Sequence, residues 1–345
     1  MLKRCFHILP LLTILLALTG CRQGSNAPVP EPRPAAYYWR TTLKLDSAEL
    51  DFLREHGVKK LYTRFFDVVL RDGEPMPNAT LRFLDTVPAD VEIIPVIFIM
   101  ENCIKADMDK YAELLVQRVC QMCETNDIPM PRELQIDCDW TKTSLERYYQ
   151  FLKHVRKHTD SRKMRLSATI RLHQLDMTPP PVDYGVLMVY NTGDAQKLNG
   201  RNPILDYRDV KPYVNRLSHY QLPLCAAYPT YGWQLLFDNN GEFKAILHDE
   251  NLNDSTLYHP IEPNKWLVVA HRDLPELSDD ASTATWITPG DSVIQWTVAA
   301  SEIHRVQQAL QHERPSINHQ VVLYSLDTKN INRYKKEDYE TFFHP

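Results

Sequence analysis

Glycine is scarce in this chain, with 10 residues in 345. No G-x-G-x-x-G and no phosphate-cradling loop occurs, which removes the commonest nucleotide signatures of an open α/β sheet. There is no G-x-S-x-G and no H-E-x-x-H, so neither a nucleophile elbow nor a helical zinc motif is present. No excess of positive charge exists either. The formal charge is −5, and mild acidity gives no electrostatic reason to expect nucleic acid as a partner. Finally, no apolar run reaches the ~20 residues of a membrane-spanning helix.

The longest apolar run is short and sits at the start. Lys3 and Arg4 precede an apolar stretch from Ile8 to Leu18, then Leu18-Thr19-Gly20-Cys21. A basic start, a short apolar core and small residues before a cut define a secretory signal. Leu-Thr-Gly-Cys resembles the bacterial lipoprotein signal, which implies acylation of Cys21 after removal of residues 1–20. The expected anchor is therefore lipid in a bilayer, in the cell envelope, with outer membrane facing the periplasm as the default. Losing Lys3 and Arg4 moves the charge from −5 to −7. Residues 21–36 carry Pro28, Pro30, Pro32 and Pro34 and read as a tether.

Five cysteines remain beyond Cys5 and Cys21: Cys103, Cys120, Cys123, Cys138 and Cys225. An odd number leaves at least one unpaired in a monomer. Cys120-x-x-Cys123 falls within a predicted helix and lacks a second ligand pair, so core packing is expected there rather than metal or redox chemistry.

Residues 37–345 read as alternating strands and helices. Strands are predicted at 37–42, 60–66, 92–99, 134–139, 165–170, 184–190, 223–228 and 320–325. Helices are predicted at 47–56, 80–86, 109–124, 144–158, 209–219 and 301–312. Such alternation implies parallel pairing through right-handed crossovers. Eight units in about 300 residues point to an α/β fold, a (β/α)8 TIM-type barrel. A β-rich insertion after strand 7, at about 233–298, is marked by a hairpin turning at Asn240-Gly241.

In such barrels the site forms at the C-terminal strand ends. In Leu134-Gln135-Ile136-Asp137-Cys138-Asp139-Trp140, alternation puts Asp137 and Asp139 on one face and Ile136, Cys138 and Trp140 on the other. Carboxylates cannot enter a dry core without partners, so the barrel mouth is their natural place. Two close carboxylates also push one pKa up, which suits a proton donor. Glu101 at the end of strand 3 is the other candidate acid. Trp39, Arg64, Arg171, His173, Tyr190, Tyr228, Tyr231, Trp233 and Asp327 are the further strand-end residues expected to contact substrate, the aromatic ones by stacking on sugar. Arg64 and Arg171 are equally suited to holding the carboxylates. His173 has no spaced ligand partner, and neither a metal nor a cofactor is implied.

The I-D-C-D-W segment, the L-S-A-T-I-R strand and the A-A-Y-P-T-Y-G-W segment before the Asn-Gly hairpin together resemble a group of bacterial envelope proteins described as glycoside-hydrolase-like barrels of unknown function. Asp137-x-Asp139 is also similar to the D-x-D-x-E motif of chitinase-like barrels, whose final Glu donates a proton to the leaving sugar. Here Thr141 stands at that position, and a hydroxyl cannot replace the acid. The resemblance implies a barrel acting on an envelope or imported glycan, with Asp137, Asp139 and Glu101 as the catalytic set. A barrel that binds glycan or protein without cleavage is the alternative, with Thr141 as its mark.

Overall fold

The computed structural model describes residues 34–105, 108–247, 249–274 and 286–345. Cys21, the signal segment and most of the tether lie outside the described residues. Eight parallel strands form the barrel: β1 (Ala35–Tyr38), β2 (Lys60–Arg71), β3 (Glu92–Ile99), β4 (Glu133–Asp137), β5 (Arg165–Arg171), β6 (Tyr184–Met188), β7 (Leu224–Pro229) and β8 (Val321–Tyr324). Each pairs with its neighbours in chain order, and β1 pairs with both β2 and β8, which closes the ring. Ala35 and Ala36, read from sequence as the end of the tether, are buried in β1.

Period-2 alternation sorts the strands into two faces, with one break, in β2 between Arg64 and Phe66. On β4, Leu134 and Ile136 pack outward under the helices, while Gln135 and Asp137 turn into the lumen. On β6, Tyr184, Val186 and Met188 belong to the lumen cluster and Leu187 to the outer one. The outer layer is completed by α1 (Ser47–Glu55), α2 (Asp109–Thr125), α3 (Leu145–Asp160), α4 (Tyr207–Val214), α5 (Ala300–Glu313) and α6 (Lys336–Phe343). Helix α1 starts on a capping box in which Asp46 accepts from the Glu49 backbone N–H and Glu49 returns the bond. Cys120 and Cys123 pack from α2 into the outer core as free thiols.

One unit departs from the expected alternation. No helix forms over residues 80–86. Instead β2 runs on to Arg71 and folds back antiparallel through Glu74–Asn78, and Arg82–Phe83 pairs with Thr42–Leu43. Pro75, Pro77 and Pro88 account for part of this, because proline favours edge strands and turns over helix interiors.

The insertion after β7 is a five-stranded antiparallel sheet in the order Phe243–Leu247, Trp233–Phe237, Ser292–Trp296, Lys265–Val268, Tyr258–Glu262. Gly241, at φ +85°, supplies the left-handed residue of the turn in the first hairpin. One face of the sheet holds Leu236, Ala245, Val268 and Val293. The other holds Leu235, Phe237 and Ile294 against Ala195 and Leu198 from the loop after β6.

Candidate functional site

The lumen changes character along its axis. At the N-terminal end it is filled by side chains bonded to one another. Lys60 Nζ donates to Gln320 Oε1 at 2.9 Å, Gln320 Nε2 donates to the Tyr62 hydroxyl at 3.1 Å, and the Tyr62 and Tyr184 hydroxyls pair at 2.9 Å. The Ser167 hydroxyl donates to Glu133 Oε1 at 2.6 Å. Burial pushes the Glu133 carboxyl up and the Lys60 ammonium down.

At the C-terminal end the lumen opens into a cavity of about 500 Å³. Its walls include Trp39 after β1, Arg64 and Asp67 on β2, Asp137 and Asp139 at the end of β4, Arg171 and His173 at the end of β5, Tyr190 after β6 and Tyr324 on β8. Asp137 is buried and tightly held. It accepts from the Thr169 hydroxyl at 2.6 Å and from Arg171 Nη2 at 3.0 Å. Burial works against the Arg171 charge, but the adjacent Asp137 more than offsets it, so the guanidinium holds its proton more firmly than usual. Arg64 Nε donates to Asp67 Oδ1 at 2.7 Å, and its Nη2 bonds the other carboxylate oxygen. Arg171 therefore holds one of the two β4 carboxylates, whereas Arg64 holds Asp67, and both arginines line the cavity.

Asp139 lies beyond the end of β4 and is exposed, with His173 Nε2 3.7 Å away. Gln174 fixes this rim. Fully buried, it accepts from the Arg171 backbone N–H and donates to the Trp140 carbonyl, both at 2.8 Å.

The aromatic residues form one continuous run of rings, of which Trp39, Tyr324 and Tyr190 line the cavity. Trp39 and Tyr324 have ring centroids 5.9 Å apart, and Tyr324 stacks on Tyr190 at 4.8 Å and 26°. Tyr231 stands edge-on to Tyr190 at 6.2 Å and carries the run on to Trp233 at 5.5 Å. Tyr190 is buried, and its hydroxyl has no hydrogen-bond partner among the described residues. The Tyr190 ring lines the cavity, whereas its hydroxyl oxygen is closed off from it.

Of the residues expected at the site, Trp39, Arg64, Asp137, Asp139, Arg171, His173 and Tyr190 meet at the cavity. Tyr231 and Trp233 flank it at the base of the inserted sheet without lining it. Three residues lie elsewhere. Tyr228 is fully buried in the outer core and donates to Asn318 Oδ1 at 2.7 Å. Asp327 caps the turn Thr328–Ile331 by accepting from the Lys329 N–H. Glu101 sits in the turn Glu101–Cys103 and accepts from the Thr141 hydroxyl at 2.9 Å, off the cavity wall. Tyr324, Met188 and Tyr213 were missed as wall residues. For Tyr324 the signal was present, because Val322 and Tyr324 share the inward face of β8.

No protein-family model matches the chain, and no curated protein matches it in sequence. Solved structures with a similar fold include a chitinase from Chromobacterium violaceum, at TM-score 0.51 and 11% identity over 90% of this chain and 97% of that one. An Ostrinia furnacalis Group IV chitinase in complex with allosamidin is similar at TM-score 0.51 and 11% identity, over 90% of this chain and 97% of that one. At this identity the likeness is one of fold alone, the TIM barrel.

Proposed function

We propose that the cavity binds a glycan, and that the protein acts as a glycan-binding barrel held on the bacterial envelope by lipid on Cys21, on the outer membrane facing the periplasm. The observation that carries the reading is a cavity wall in which the Trp39, Tyr324 and Tyr190 rings follow one another beside two carboxylate-paired arginines. Rings stack on the apolar faces of pyranoses, while fixed polar groups orient the hydroxyls. The similar fold of a chitinase solved with allosamidin is in keeping with a carbohydrate ligand.

The non-hydrolytic form of this reading is favoured by the position of the acids. General acid catalysis needs a carboxyl within reach of the leaving oxygen. Thr141 replaces the acid of the similar motif, Asp137 and Asp67 are bonded to arginines, and Glu101 lies off the wall. Among the described residues this leaves Asp139 as the single wall carboxylate not bonded to an arginine, where glycoside hydrolysis uses two acids. One observation favours the hydrolytic form. Glu101, from the neighbouring strand end, brings a carboxylate to within 2.9 Å of the Thr141 hydroxyl. In that form Glu101 would protonate the leaving group and Asp139 would serve as its partner carboxylate.

A panel of glycans tested for both sugar release and thermal stabilisation separates the two. The binding form predicts a raised melting temperature and no release, with about 2.7 kcal/mol of added stability at a hundredfold excess over Kd. Release that is lost in Glu101→Gln or Asp139→Asn would establish the hydrolytic form. Neither stabilisation nor release by any glycan would refute both.

A further inference from the structure

We propose that the Arg64–Asp67 pair decides which glycan the cavity accepts, and that the accepted sugar ring is uncharged. This rests on the glycan-binding reading above. Lys60, Tyr62 and Arg64 follow the inward phase of β2, but its register against β3 shifts between Arg64 and Phe66. Phe66 and Val68 consequently pack in the outer core, and Asp67 returns to the lumen three residues after Arg64. Irregularities of this kind re-aim side chains beside sites. Unbroken alternation would have sent Asp67 outward with Thr63 and Phe65.

The re-aimed pair is bonded through both carboxylate oxygens, and its side chains are 20% and 10% exposed. Bidentate pairing fixes the plane of the guanidinium. Arg64 also stands 5.7 Å from the centre of the Trp39 ring, so the pair positions one of the stacking surfaces. Arg171–Asp137 makes a second ion pair on the β4–β5 side of the same cavity. Each guanidinium in the wall thus already faces a carboxylate. The remaining acid, Asp139, has His173 beside it at 3.7 Å. Three aspartates against two arginines give a field that is neutral to negative. A uronate or phosphorylated ring would bring a further negative charge into it, whereas a neutral ring meets donors and acceptors without that repulsion.

The test is titration calorimetry of the full-length protein with length-matched oligosaccharides: a neutral hexose series, its N-acetylated counterpart and a uronate series. The expected result is binding of a neutral series, with the uronate at least about tenfold weaker at low salt and the gap narrowing as salt screens it. Asp67→Asn removes one negative charge, so the uronate gains affinity while the neutral ligand does not. A melting curve of the variant reports whether it is folded, and the salt dependence of the wild type tests the charge argument independently. Uronate binding as tight as neutral binding would overturn this inference and leave the glycan-binding reading intact. An unchanged gap in folded Asp67→Asn would remove Asp67 from the role assigned to it. No binding by any series would overturn both.

Discussion

The two ends of the barrel lumen are built from the same strands and equally rich in polar groups, yet they do different things. At the N-terminal end Lys60, Gln320, Tyr62 and Tyr184 bond to one another and fill the space. At the C-terminal end Arg64–Asp67 and Arg171–Asp137 are also internally paired, but they border open volume lined by the Trp39, Tyr324 and Tyr190 rings. Buried charge alone therefore does not mark a site. What marks one is polar and aromatic chemistry next to space.

This contrast can be broken most sharply at the open end. Arg171→Met leaves the Asp137 carboxylate buried with only Thr169 to bond it, and loss of one partner of a buried pair costs about 3–5 kcal/mol. Urea unfolding should show that loss. A loss under 1 kcal/mol would mean that water compensates Asp137, and that the mouth is wetter than its burial implies.

The closed end predicts a pH effect of opposite origin. Burial raises the Glu133 carboxyl above its ordinary value of 4.5. Between that value and the raised one, the folded chain binds more protons than the unfolded chain. Stability from this group is thus present at low pH and falls as pH rises through the window, by at most about 1.4 kcal/mol per pH unit. Glu133→Gln should flatten that slope. A slope unchanged by the substitution would assign the pH dependence to other groups.

The smallest expected effect is on the wall. Tyr324→Ala should weaken glycan binding by about 0.5–1.5 kcal/mol beyond lost contact area, because it removes the ring linking Trp39 to Tyr190. Tyr228→Phe should leave binding unchanged, since its hydroxyl bonds Asn318 on the outer side. Equal losses in the two variants would argue that the wall contributes only to folding.

Much of this was legible in the sequence because alternation is a strict geometric rule. It placed Asp137 inward and Ile136 and Cys138 outward. The errors have the same root. Taking residues near strand ends as site residues ignored parity. With Cys225 and Ala227 facing the lumen, Tyr228 must face out. With Ile94, Val96 and Phe98 facing inward, Glu101 falls out of phase and into a turn. Asp67 is not legible as a lumen residue in the sequence. No residue type in Lys60–Arg71 announces the register shift that turns it inward, because bulges depend on pairing with the neighbouring strand. The missing second helix was hidden likewise, since residues 80–86 have helix-like spacing and their pairing with Thr42–Leu43 is a tertiary effect.

The central claim is that the C-terminal cavity binds a glycan through its aromatic wall without cleaving it. Its most direct test is calorimetric titration of wild type and Trp39→Ala with the glycan giving the largest thermal stabilisation, with product analysis of the same samples. The account predicts saturable binding, intact glycan at the end point, and a loss of affinity of at least about 0.5–1.5 kcal/mol in Trp39→Ala, the scale of one aromatic contact. Binding that does not respond to Trp39→Ala, or glycan recovered as shorter products, would contradict it.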